Sequence, residues 1–179
     1  MKKTFLLALT FFATVTFAQE KMTTKTGKVT FEASVPAFEE VKGTNSSSSC
    51  VLVPATGEIA SQALIKGFRF KIALMEEHFN ENYIQSDKYP KATFRGKIEG
   101  FDVNALTATA KDYTIKGKLE LHGKSKDISI PAKIRKADGG IEIISNFTVN
   151  SDDFDIEIPS VVASKVSKKV NVKTDFTVK

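Results

Sequence analysis

Apolar and polar residues alternate with a period of two along most of this chain, the mark of strands with one buried face. In KVTFEASV, Val29, Phe31, Ala33 and Val35 share a face. In ALIKGFRFKIAL the shared face carries Leu64, Phe68, Phe70, Ile72 and Leu74, with Arg69 and Lys71 opposite. KATFRGKIEGF sets Phe94 and Ile98 against Arg95, Lys97 and Glu99. YTIKGKLELHG is the clearest run: Tyr113, Ile115, Leu119 and Leu121 oppose Thr114, Lys116, Lys118, Glu120 and His122. DISIPAKI contributes Ile128, Ile130 and Ile134, and GIEIISNFTV contributes Ile141, Ile143, Phe147 and Val149. KVNVKTDFTV ends the chain with Val170, Val172, Thr174, Phe176 and Val178 in phase.

Turn residues separate these runs at Gly57, Asp102 to Ala105, HGKSK (122–126) and ADGG (137–140). Asp-Gly-Gly between two alternating runs is a strong hairpin signal. The spacing predicts seven to nine antiparallel strands in a sandwich or barrel. The serine run 46–49 reads as a loop, with Cys50 at its edge. One stretch, LMEEHFNENY, does not alternate. Met75, Phe79 and Tyr83 form an apolar stripe at helical spacing, beside Leu74, His78 and Asn82, so a helix of two to three turns is predicted. Pro90 disfavours helix at Tyr89 and ends it. Inward apolar side chains can fill a small barrel or surround one ligand, and parity alone leaves both open.

The first residues change the picture of where the chain resides. Lys2 and Lys3 precede an apolar run from Phe5 to Val15, and Thr16-Phe17-Ala18 ends in a small residue. That run is shorter than the roughly 20 residues a membrane-spanning helix needs. Residues 1–18 are therefore expected to be a cleaved secretory signal peptide, leaving 19–179 as a single exported domain without stable membrane insertion. The lone Cys50 excludes an intramolecular disulfide. The net charge of +5 rests on scattered lysines, with only Arg69, Arg95 and Arg135 able to act as forks. This argues for a solvated outer face and against nucleic-acid binding.

Candidate chemistry is sparse. His78 sits among Glu76, Glu77 and Glu81, but there is no HExxH pair, and the other histidine, His122, is on the polar face of a strand. Asp152, Asp153, Asp155 and Glu157 alternate with Phe154, Ile156 and Ile158, which reads as an exposed strand face before it reads as a carboxylate pair. No GxSxG motif or phosphate-cradling glycine loop is present, and the chain lacks Trp. The residues nominate no catalytic group, no metal site and no cofactor.

Three segments together resemble the YceI-like proteins, and among them the small exported members from Bacteroidetes: FRFKIALMEEHFNENYIQSDKYPKATFRGKI, GKLELHGKSKDISIPAKI and DDFDI. The most specific parts are EHFNENY followed by KYPKATF, and Gly117-x-Leu119-x-Leu121-x-Gly123. The resemblance implies an all-β, antiparallel, lipocalin-like barrel of about eight strands with one short helix near its mouth. It also implies a periplasmic, non-catalytic protein whose apolar tunnel holds a polyisoprenoid, a quinone or a fatty-acid-like lipid. On that reading strand parity nominates Phe31 in the first strand, then Phe68, Phe70 and Ile72, then Phe94 and Ile98 as lining. Tyr113, Ile115, Leu119, Leu121 and Ile130 follow, then Phe147, Val149, Val172 and Phe176. Phe79 and Tyr83 would close the tunnel from the helix, with Glu76, Glu77 and Asn80 facing water, and His78 or Asn82 would meet a head group. Some relatives carry a histidine where this chain reads Ala33-Ser34, so polar contacts do not transfer. A filled-core structural or adhesion domain and an enzyme acting on a lipid are the alternatives, and homodimerisation is left open.

Overall fold

The computed structural model describes residues 20–179, so the expected leader lies outside the described residues. Nine strands follow in order: β1 Met22–Ser34, β2 Lys42–Val53, β3 Glu58–Leu64, β4 Arg69–Phe70, β5 Lys91–Ile98, β6 Lys111–Leu121, β7 Lys124–Ala137, β8 Gly140–Asn150 and β9 Val166–Val178. One α-helix, α1 (Ala73–His78), separates β4 from β5 and runs on into a wide turn over Phe79–Tyr83. All pairings are antiparallel, and their order is β1-β9-β8-β7-β6-β5-β3-β2 with β2 returning to β1. Eight strands thus close a ring, as expected, and β4 is a short addition on β2 at Gly43↔Phe70 and Thr44↔Arg69. Closure leaves no long sheet edge unpaired.

Local chemistry fixes the register. His122 and Gly123 between β6 and β7 have φ of 51° and 73°, and Asp138 and Gly139 between β7 and β8 have 47° and 73°. Two positive φ values in a two-residue loop make a turn whose twist matches the strands it joins. His122 is therefore a turn residue and not part of a strand's polar face.

The serine run is not a loop. Ser46–Ser49 lie inside β2, where the pairing with β1 shifts register on either side of Gly27↔Ser48. Inward parity accordingly passes from Gly43 and Asn45 to Ser48, Cys50 and Leu52. Asn45 holds the irregularity: its Oδ1 accepts from the Ser47 amide at 2.9 Å, and its Nδ2 donates to the Leu64 carbonyl at 2.9 Å. Gly27 is required here, since a Cβ would lie 2.1 Å from Phe176 Cδ1.

A second break explains another misread segment. A 3-10 turn over Ile65–Gly67 interrupts the path from β3 to β4 and shifts the inward phase. Ala63 and Ile65 are buried, whereas Leu64 and Leu74, expected inside, are exposed. The alternation seen from Phe68 onward does not extend back through that turn.

One end of the barrel is packed solid. Leu52, Ile98, Ile134, Ile141 and Val178 meet there, each 3% exposed or less. A 3-10 turn over Val103–Ala105, capped by the Asp102 side chain accepting from the Asn104 amide at 2.9 Å, delivers Leu106 as a stopper. The Lys136 amide donates to the Thr107 carbonyl at 2.8 Å and fastens the stopper to β7. Burying each such side chain contributes about 1.5–3 kcal/mol.

Candidate functional site

Above this plug the same strands surround a hollow of about 550 Å³. Its floor is Ile59, Phe94, Ile115, Ile130, Ile143 and Phe176, and its wall carries Phe31, Leu119, Leu121, Phe147, Val149 and Val172. Two inward glycines help keep the lumen clear. Gly96 and Gly117 face each other across β5 and β6. A Cβ at either would lie 2.8 Å or 2.7 Å from Phe94 Cζ, so the Phe94 ring rests over their backbone.

The mouth is shaped by α1 and its wide turn. Met75, Phe79 and Tyr83 face the hollow, as the helical stripe predicts. Phe79 stacks on Phe31 with centroids 5.0 Å apart and touches Phe70 and Phe68 at 5.1 Å and 5.9 Å. Tilted and offset aromatic contacts of this kind add to the area they bury. The helix is anchored from outside. Glu76 accepts from Arg69 Nη1 at 2.8 Å and from the Phe70 amide at 3.2 Å, and Asn80 Nδ2 donates to the Glu76 carbonyl at 2.8 Å. Glu76 and Asn80 are thus half-buried and engaged, and of the three residues expected to face water only Glu77 is exposed.

Four expected site residues lie elsewhere. Ile72 is the half-buried residue preceding the first turn of α1 and does not border the hollow. Ile98 points inward but is sealed in the packed end, and Tyr113 packs there on Phe101, with ring centroids 6.0 Å apart. Asn82 is exposed and away from the cavity. His78 stands at its margin, with Glu39, Tyr83 and Lys165 the other charged or titratable groups bordering it among the described residues. No group of three or more His, Cys, Asp or Glu gathers as a metal site among the described residues.

Strand parity missed part of the cover. The segment expected to be an exposed strand is a 3-10 turn over Ser151–Phe154 followed by an extended connector to β9. Phe154, Ile156 and Ile158 turn toward the hollow, and Phe38 and Val41 approach from the β1–β2 loop. The alternation in DDFDIEIP was the available signal; it marks an apolar face over the barrel mouth. The connector is tied down by polar contacts. His122 Nδ1 is 2.9 Å from the Phe154 carbonyl, Lys124 reaches Asp155 at 2.7 Å, Lys168 reaches Asp152 at 3.0 Å, and Lys126 pairs with Asp153. The hydrogen bond to Asp155 raises the Lys124 ammonium above its ordinary pKa.

Cys50 is fully buried in β2, and burial pushes its thiol up to about 12. A thiol so rarely ionised is a packing residue and not a nucleophile.

The family model of the YceI-like domain matches residues 12–178. The chain belongs to the YceI-like family. Its fold is shared with a polyisoprenoid-binding domain from Saccharophagus degradans implicated in plant cell wall breakdown, at TM-score 0.73 and 16% identity over 89% of this chain and 97% of that one. Burkholderia cenocepacia BcnA aligns at TM-score 0.69 and 18% identity, covering 86% and 96% of the two chains. The Campylobacter jejuni YceI protein aligns at TM-score 0.60 and 22% identity, covering 81% and 89%. No curated protein matches the chain. At these identities the structural likeness concerns the fold, and within that fold this YceI-like chain supplies its own cavity lining.

Proposed function

We propose that this YceI-like protein is a non-catalytic carrier of the periplasm that holds a long-chain amphiphilic lipid in its barrel. Polyisoprenoids, quinones and fatty-acid-like chains are the candidate ligands. The observation that carries the reading is the apolar hollow of about 550 Å³ above a packed floor, well inside the roughly 300–1,000 Å³ of small-molecule sites. A domain needed only for rigidity would gain by filling that space, because each buried methylene contributes about 0.8 kcal/mol. The same figure rewards a hydrocarbon tail that leaves water for the cavity. The polyisoprenoid-binding domain that shares the fold supports this ligand class, and the leader-like residues 1–18 support export. The reading assigns no covalent step to any residue.

Organic extraction of the natively purified protein, followed by mass spectrometry, should release a long-chain lipid, and the delipidated protein should take up added chains. Leu119→Trp places an indole in the hollow and should cut uptake tenfold or more while the barrel still folds. A native extract free of lipid, together with no uptake of any added chain, would sink the proposal.

A further inference from the structure

The polar residues that border the hollow include one hydroxyl pair built by two neighbouring strands. Ser145 on β8 and Thr174 on β9 are register partners, and their hydroxyl oxygens are 2.6 Å apart. Both border the cavity. Ser145 is 5% exposed, and Thr174 is half-buried with its inward side on the lumen. Their neighbours on the same inward face are apolar: Ile143↔Phe176 on one side and Phe147↔Val172 on the other.

Two hydroxyls carry two protons, and the bond between them uses one. Neither side chain has another hydrogen-bond partner among the described residues. One O–H donor is therefore unspent in an apolar wall, where an unmet hydroxyl is unfavourable. An Ala–Val pair of similar shape would line the hollow without that penalty.

The position is deep. Ile143 and Phe176 belong to the floor, so the hydroxyl pair sits one inward step above it. Asn150, the last residue of β8, is five residues further toward the mouth, roughly 17 Å along the strand at about 3.4 Å per residue. Ser151 also borders the hollow and has a buried hydroxyl without a partner, but it lies at the mouth end.

Resting on the carrier reading, we infer that the Ser145–Thr174 pair is a ligand subsite that donates a hydrogen bond to an oxygen of the bound lipid. The ligand class is a long chain bearing a carbonyl, ether or hydroxyl oxygen, bound with that oxygen inward and its hydrocarbon toward the aromatic mouth. An unbroken hydrocarbon leaves the donor unmet. A polar head group held only at the mouth does the same.

The test compares a long-chain methyl ketone with the alkane of the same length, each displacing a fluorescent fatty-chain probe from delipidated protein. In the Ser145→Ala/Thr174→Val double variant, ketone affinity should fall about 3- to 10-fold, the size of one neutral hydrogen bond. Alkane affinity should stay level or rise. Thr174→Ser keeps both hydroxyls and should retain ketone affinity, which separates loss of the donor from loss of the fold. Equal losses for both ligands, or no loss for the ketone, would overturn the inference and leave the carrier reading standing. If neither ligand displaces the probe from the wild-type barrel, both fall together.

Discussion

The two ends of this barrel are made from the same strands with the same inward parity, yet one is packed and the other is hollow. At the packed end Leu52, Ile98, Ile134, Ile141 and Val178 converge, and a capped 3-10 turn inserts Leu106 between them. At the hollow end the inward residues are as apolar, but what covers them rests on the rim. Phe79 from α1 joins the ring cluster of Phe31, Phe68 and Phe70, and Phe154 is held by the β6–β7 turn. Parity says which side chains point inward. Whether they meet depends on what the loops push between them and on where glycine lets a ring lie flat.

Substitutions should separate the two ends. The largest effect is expected at the packed end, where Ile134→Ala should lower unfolding free energy by about 2–5 kcal/mol through lost transfer energy and a new void. Leu119→Ala at the hollow end should lower it by only about 1 kcal/mol, because its side chain already borders empty space. Urea titration of the delipidated protein reads both, and equal losses would mean that the hollow closes in solution. Next in size is Gly117→Ala. The new Cβ would lie 2.3 Å from the Arg95 carbonyl oxygen, a backbone atom that cannot swing aside. A loss of about 1–3 kcal/mol is expected, with Phe94 displaced into the lumen and lipid uptake reduced. The smallest effect concerns Cys50. Its thiol should resist alkylation at pH 8 until the barrel unfolds. Its folded pKa of about 12 stands above the ordinary 9.0, so the unfolded chain loses the proton first as pH rises. The stabilisation from keeping this thiol neutral is fully present below pH 9.0 and is lost as pH climbs toward about 12. Cys50→Ser should flatten that limb of the stability curve.

The sequence was most readable where strands are regular. Tyr113, Ile115, Leu119 and Leu121 keep one phase and match their expected face, and Ile115–Glu120 pair on both sides. The helical stripe Met75, Phe79 and Tyr83 was readable for the same reason: one period holds over its whole length. Legibility failed where the period changes inside an element. The register shifts beside Gly27↔Ser48 hid β2 behind a serine run, since a strand with buried Asn45 and Ser48 shows no apolar alternation. The 3-10 turn at Ile65–Gly67 reversed the phase and sent Leu64 outward. Phe154, Ile156 and Ile158 alternate as a strand would, but they lie in a 3-10 turn and the connector after it, whose strand-like pattern comes from facing a lumen. The hollow itself had no periodic signature, because an empty centre and a filled one demand the same inward residues.

The ring of strands is sealed by its first and last members. β1 pairs with β9 from Lys28↔Asp175 to Ser34↔Val166, and Thr23 and Lys179 exchange backbone hydrogen bonds at 2.7 Å and 3.1 Å. Contacts so distant along the chain make folding slow, since loop closure precedes any gain from pairing. They also make the order of strands interchangeable. A circular permutant that joins Lys179 to Met22 with a short linker and opens at Asp138–Gly139 would keep every inward strand residue in place, and its seam would move to the far side of the barrel.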